Sequence, residues 1–262
     1  MKKLCIIGNS HVAAMRNSWR TWGQVDLGFD AEFYAYKDTR IESEVTLKNG
    51  ELTIEGAQFW CFKTGSSDQQ CSAVPLAGFD SVILTGLGFG PECVVKLYKR
   101  YGYFGLNGRR PQVISRDMFK SAASDALNDT AAIKLATAIK QESGHVPFLV
   151  PSPFPSERGF STVDRPAMVP WRLAVENGDI AELIAMYDEL KTEVLATSAR
   201  LINQPETTKA NAYSTLKSFS ENAATTLNER LRRDDDFRHM NDHYGIVMWK
   251  EIRSALADQV IV

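Results

Sequence analysis

An apolar run that ends in a glycine and gives way at once to a helical pattern constrains this chain more than any other feature. Leu4-Cys5-Ile6-Ile7 is short, apolar and β-branched at its end, the pattern of a buried strand, and Gly8 stops it. Val12, Met15, Trp19 and Trp22 then fall at i, i+3, i+7 and i+10, one face of an amphipathic helix. The polar stretch Asn9-Ser10-His11 is therefore confined to a tight strand-to-helix turn. In an α/β fold such a turn lies beyond the carboxyl edge of the sheet, where sites collect. The N–H groups at the helix N-terminus face any negative charge that forms there. Two roles are open to Ser10: a helix N-cap, which serine favours for its own hydrogen bonding, or a nucleophile whose oxyanion meets those N–H groups. The turn by itself fits the cap.

Further strands and helices alternate along the chain. Ala31 to Tyr36 reads as a second strand, and Asn49-Gly50 is a two-residue hairpin turn between Val45-Thr46-Leu47 and Leu52-Thr53-Ile54. Residues 41 to 62 are thus expected to form a small antiparallel excursion, followed by a polar loop, Phe62 to Asp68. Phe79 to Thr85 is a central strand that runs into Gly86-Leu87-Gly88-Phe89-Gly90-Pro91. Alternating glycines there imply a backbone that something approaches closely, and the third glycine arrives too early for a dinucleotide-binding fingerprint. Residues 92 to 112, rich in aromatic and basic side chains, read either as a lid over a site or as a surface insertion. Ser115 to Gln141 reads as helix broken near Asn128-Asp129, Val146 to Val150 as a strand, and Asp179 to Ala199 as a long amphipathic helix. Arg200 to Asn203 reads as a last short strand and Tyr244 to Leu256 as a terminal helix. Alternation of this kind predicts a mostly parallel sheet in one domain, residues 1–262.

Charge and composition exclude several functions. A net charge of −2 gives no electrostatic case for nucleic acid or an acidic membrane, although Lys96, Lys99, Arg100, Arg109 and Arg110 cluster locally. No apolar run reaches the roughly 20 residues needed to span a bilayer. Lys2-Lys3 followed by Leu4 to Ile7 is too short for a signal peptide, which predicts a cytoplasmic protein. The four cysteines, Cys5, Cys61, Cys71 and Cys93, have no metal-ligand spacing and are expected as reduced thiols.

A second polar cluster, Asp234 to Gly245, lies ahead of the terminal helix and holds two of the chain's four histidines. Asp236 stands three residues before His239, close enough for its carboxylate to reach Nδ1. That bond fixes the tautomer and stabilises the imidazolium formed when Nε2 takes a proton. The run Asp234 to Asp236 also fits a solvated acidic face. His239 and His243, at i and i+4, have the spacing of two helical zinc ligands. No glutamate follows His239 and no third ligand presents itself, so no metal is expected.

Taken together, these blocks resemble the SGNH (GDSL-type) hydrolases. Gly8-Asn9-Ser10-His11 is similar to that superfamily's Gly-Asp-Ser block, Asp236-Phe237-Arg238-His239 to its Asp-x-x-His block, and Phe79 to Gly90 to the strand and glycine turn of its third block. The order of the blocks covers nearly the whole chain. The resemblance implies a three-layer α/β/α flavodoxin-like fold and an ester hydrolase with no cofactor. Ser10 would be the nucleophile, His239 the general base and then acid, and Asp236 the orienting carboxylate. Asn9, His11, Gly65 and Gly88 would line the oxyanion and substrate site.

The departures concern the oxyanion hole. Asn9 replaces an acidic residue, Met240 follows His239 in place of proline, and Gly88 stands where the third block carries an asparagine that donates to the oxyanion. Losing one such donor costs about two to three orders of magnitude in rate. The expected partner is a small-molecule or carbohydrate ester, with the aromatic and basic residues from 98 to 110 available to stack on a sugar. A binding protein that keeps the fold without efficient catalysis is the alternative, and an acyltransferase would use the same residues as an esterase.

Overall fold

The computed structural model describes residues 2–23, 28–36, 45–63, 68–161, 165–223 and 236–257. Its strands in chain order are β1 (Lys2–Gly8), β2 (Phe29–Tyr36), β3 (Val45–Lys48), β4 (Glu51–Ile54), β5 (Phe59–Phe62), β6 (Gln69–Cys71), β7 (Ala73–Pro75), β8 (Ser81–Thr85), β9 (Tyr101–Tyr103), β10 (Gln112–Ile114), β11 (Phe148–Val150), β12 (Arg200–Leu201), β13 (Lys209–Asn211) and β14 (Ser214–Thr215). Its α-helices are α1 (Val12–Ser18), α2 (Glu92–Val95), α3 (Arg116–Asn128), α4 (Ala131–Ser143), α5 (Arg158–Ser161), α6 (Val169–Glu176), α7 (Ile180–Leu195) and α8 (Asp242–Ala257).

A mixed, mostly parallel sheet forms the centre, in the order β12-β11-β8-β1-β2-β5-β6. The five strands from β12 to β2 run parallel, β5 is antiparallel to β2, and β6 is antiparallel to β5. The Asn49-Gly50 hairpin forms as its turn residues dictate, with Asn49 at φ 55° and Gly50 at φ 77°. Its strands, β3 and β4, join β7 in a separate three-stranded sheet. The expected excursion over 41 to 62 is therefore shorter than its sequence pattern: Phe59–Phe62 belongs to the central sheet, and residues 41 to 44 lie outside the described residues.

Strand β1 shows why the centre holds. Its residues alternate between two buried apolar clusters, Leu4 and Ile6 in one, Cys5 and Ile7 in the other. A strand buried on both faces is apolar throughout, which is what made Leu4 to Ile7 legible. Leu4 and Ile6 pack with Val12, Met15 and Trp19 of the first helical segment and with Met248, Trp249 and Ile252 of α8. Cys5 and Ile7 share a core with Leu127, Leu135, Leu183 and Tyr187 of α3, α4 and α7.

The crossing of α1 and α8 is unusually close, and it joins the two ends of the chain. A Cβ on Gly245 would lie 2.2 Å from the Ala14 carbonyl oxygen and 2.3 Å from Ser18 Oγ. The Trp249 indole N–H donates to the Met15 carbonyl at 3.0 Å and to Ser18 Oγ at 3.1 Å. The same indole packs among Trp19, Phe29 and Phe33.

Two corrections concern sequence readings made above. Cys61 and Cys71, expected as reduced thiols, form a disulfide across the β5–β6 pair. Their ten-residue separation matches no recognisable motif, and only the pairing of β5 with the edge strand β6 brings them together. Cys5 is the buried core thiol expected, and Cys93 is half-buried. The aromatic row of residues 98 to 110 is in large part core: Tyr98 and Tyr103 are buried, with hydroxyls donating to Asp179 and Glu182. Arg110 stacks on the Tyr98 ring at 3.7 Å, and Phe104 is the one aromatic of this stretch that stands fully exposed. Among the described residues no helix is long and apolar enough to cross a membrane.

Two outcomes follow from this packing. Gly245→Ala is expected to lower stability by about 2 kcal/mol or more, since α1 and α8 must separate, read as a lower urea midpoint at an unchanged slope. Burial pushes the Cys93 thiol up to about 11 and raises Cys5 further, so neither is a thiolate at pH 8. A thiol reagent at that pH should find no fast-reacting cysteine in the native protein, two after unfolding without reductant, and all four after reduction.

Candidate active site

Strand order reverses between β1 and β8, the position at which open α/β sheets hold ligands outside the carboxyl ends of their strands. The turn after β1 and the turn after β8 meet there. Val12 N–H returns to the Asn9 carbonyl at 3.0 Å and Ala13 N–H to that of Ser10 at 3.3 Å, so the chain passes from strand to helix within one tight turn. Asn9 is buried, and its Oδ1 accepts the His11 N–H at 3.2 Å. Asn9 thereby closes an Asx turn ahead of the helix, and His11 occupies the N-cap position with no side-chain cap bond. The capping role considered for Ser10 is not the one it plays.

Ser10 Oγ instead lies 2.6 Å from His239 Nε2, across 229 positions of sequence. His239 Nδ1 is 2.9 Å and 2.8 Å from the two carboxylate oxygens of Asp236. The spacing of three residues works through a tight loop, not a helix. Asp236 Oδ1 also accepts the Arg238 N–H at 3.1 Å and the His239 N–H at 3.2 Å, so the carboxylate is oriented by the backbone of the residues it serves. With Nδ1–H directed at a carboxylate, Nε2 presents a lone pair to Ser10, the tautomer that a general base requires.

The loop that carries this pair is tied down at both ends. Phe237 and Met240 are buried, and the Ser156 N–H donates to the Phe237 carbonyl at 2.7 Å. Asn241 is buried; its amide donates to the carbonyls of Ser218 at 2.7 Å and Glu221 at 2.8 Å. Its Oδ1 accepts the Tyr244 N–H at 3.2 Å at the start of α8. Between them Arg238 turns outward to Glu92, 2.8 Å away, just past the glycine turn that follows β8. Asn241 and Glu92 were not singled out in the sequence. An asparagine ahead of a helical pattern is a capping signal that could have flagged the first, whereas nothing local to Glu92 announces its partner.

The turn after β8 is the second wall. Gly86, Leu87 and Gly88 have φ of 69°, 51° and 83°, a run of left-handed residues that includes a fully buried leucine. A left-handed non-glycine costs about 1–2 kcal/mol, so the turn is held by its surroundings. At Gly86 a Cβ would lie 2.6 Å from Asn9 Oδ1 and 2.7 Å from His11 Cδ2, which ties the first and third sequence blocks together in space. The Gly86 N–H is engaged with the Val150 carbonyl at 2.9 Å. Gly88 follows in the same turn, its carbonyl accepting the Cys93 thiol at 3.4 Å. His11 stacks on His239 with ring centroids 5.1 Å apart and planes 26° from parallel.

Of the candidate residues, Ser10, His239 and Asp236 are thus brought into hydrogen-bonding line, with Asn9 and His11 beside them and Gly88 in the facing turn. Gly65 lies outside the described residues. His239 and His243 do not share a helical face, because His239 precedes α8 and His243 is exposed within it. Among the described residues no group of three or more His, Cys, Asp or Glu side chains could hold a metal ion.

No family model matches the chain, and no curated protein matches it. Among solved structures it is similar to the crystal structure of a DUF4886 family protein from Bacteroides uniformis. That likeness has a TM-score of 0.49 at 7% identity and covers 97% of this chain and 82% of the other.

Proposed function

We propose that the protein is a serine ester hydrolase of the SGNH type, one domain with a three-layer flavodoxin-like fold, acting through an acyl-enzyme. The observation that carries this reading is the unbroken line from Ser10 Oγ through His239 to Asp236. It is supported by the sheet: counted in chain order, the parallel strands run 2-1-3-4-5, the flavodoxin-like order, with Ser10 at the switch point.

In this mechanism Ser10 Oγ attacks the ester carbonyl while His239 Nε2 takes its proton. The imidazolium is stabilised by the Asp236 carboxylate, which stays ionised. His239 then gives the proton to the leaving alcohol, and a water deprotonated by the same nitrogen cleaves the acyl-enzyme, returning Ser10. The Ser10 backbone N–H and Gly65 are our candidates for the oxyanion donors. Small acyl groups carried on a sugar or another small alcohol fit this site, and attack by a second alcohol in place of water would make it an acyltransferase. A cytoplasmic location is the weaker part of the reading, since a disulfide such as Cys61–Cys71 is favoured where thiols are not kept reduced.

One observation favours the alternative of a non-catalytic binding protein. Gly88 offers no side chain to the oxyanion, and the preceding Leu87 is apolar and buried. Fluorophosphonate labelling separates the two. Wild type should gain a single adduct by intact mass, Ser10→Ala none, and Asp236→Asn should label about 10⁴-fold more slowly. Folded wild-type protein that takes no adduct would favour the binding protein.

A further inference from the structure

A small cavity reaches Ser10 from the side of α8, and one of the residues that line it carries a buried hydroxyl for which the chemistry above has no use. Met15, Val150, Met240 and Met248 wall it, and Tyr244 lines it together with Ser10. Tyr244 is 5% exposed and its ring packs edge-on against Phe219 at 6.2 Å. Its hydroxyl is buried and has no hydrogen-bond partner among the described residues. Burial alone pushes this phenol upward, so it remains a neutral donor at any working pH. A buried hydroxyl without a partner costs about 1–3 kcal/mol, and such groups are few in native proteins. On a residue that lines a cavity beside a candidate nucleophile, such a hydroxyl points to a ligand atom as its partner.

The cavity's size and lining narrow the ligand. It has room for about one water-sized group beyond the serine, too little for an extended acyl chain. Ser10, His11 and Thr85 also line it, and the rest of the lining is thioether and hydrocarbon, so a methyl group driven into it leaves the Tyr244 hydroxyl unpaired. A hydroxyl of the same size pairs with it.

Resting on the serine hydrolase reading, we propose that this cavity is the acyl subsite and that Tyr244 selects a short hydroxyacyl group of the glycolyl type over its alkyl isostere. The glycolyl and propionyl groups differ by a terminal hydroxyl in place of a methyl, so their comparison isolates the hydrogen bond. A site that must pair a buried polar group discriminates strongly against the analogue lacking the match.

The test uses the full chain with 4-nitrophenyl glycolate, propionate and butyrate, each kcat/KM corrected for uncatalysed hydrolysis. The ratio of glycolate to propionate should fall by at least about tenfold in Tyr244→Phe. Butyrate should be poor for wild type and improved in Met248→Ala, an arm that does not depend on the Tyr244 variant folding. Ester turnover with an unchanged ratio, or a wild type that accepts butyrate as readily as propionate, would overturn the subsite and leave the hydrolase reading standing. No turnover of any ester, together with no adduct on Ser10, would sink both.

Discussion

The site depends first on the contact between α1 and α8. Ser10 stands on the turn that opens α1, and His239 stands on the loop that opens α8, so the distance between them is set by how closely those helices cross. A glycine at 245 lets the Ala14 carbonyl sit where a Cβ would otherwise be, and the Trp249 indole bonds across the same crossing. Interiors are close-packed and transmit small shifts, so a wider crossing would be felt at the 2.6 Å contact between Ser10 and His239. The aromatic packing of Trp19, Phe29, Phe33 and Trp249 fixes that spacing from below the sheet edge. What reads as a terminal helix with an apolar stripe is therefore the element that aligns His239 with Ser10.

The loop that carries Asp236 and His239 is held by a different device. Residues 236 to 241 form no regular element, yet most of their polar groups have fixed partners. Phe237 and Met240 anchor it through burial, Asn241 through two carbonyls and a helix cap, and Arg238 through Glu92. The last of these is half-exposed and contributes little energy, since such pairs are worth about 0–1 kcal/mol. The buried amide of Asn241 is the stronger tether, because replacing it would leave two carbonyls without donors. A loop held in this way can present Asp236 and His239 with little freedom left to lose on binding substrate.

Much of the frame was legible because it rests on short-range patterns. The apolar run of β1, the Asn49-Gly50 turn, the interruption near Asn128-Asp129 and the stripe of α7 all follow from local periodicity and turn chemistry. Helices Arg116–Asn128 and Ala131–Ser143 break where the sequence places the break, and Ser115 caps the first by accepting the Met118 N–H at 3.1 Å. Asp236 and His239 were legible as a pair from their spacing; their partnership with Ser10 was reached through resemblance, and the hydrogen-bonded geometry now supports it. What escaped depends on tertiary pairing. Cys61 meets Cys71 through the pairing of β5 with the edge strand β6, and Phe59–Phe62 rejoins the central sheet after a detour that alternation alone made look continuous. Tyr98 and Tyr103 have the composition of a lid but take the core because Asp179 and Glu182 offer partners for their hydroxyls there. Aromatic content alone does not distinguish a stacking surface from a core element with satisfied polar tips.

The glycine turn after β8 is where frame and chemistry meet. Its left-handed residues bring the backbone against Asn9 and His11, an approach that no side chain at Gly86 would allow. The Asn9 side-chain Oδ1 then accepts the His11 N–H, and His11 stacks on the His239 ring. In this arrangement the polar side chains around Ser10 fix the turn and the imidazole, and the proposed mechanism would rely on backbone N–H groups for its oxyanion. The facing turn after β8 is over-determined by a buried Leu87 at positive φ and a Gly86 N–H already bonded to Val150. A glycine in place of an amide-bearing side chain at position 88 is consistent with that division of labour. Rigidity of the surrounding turns, more than the number of side-chain donors, would then set the rate at which Ser10 is acylated.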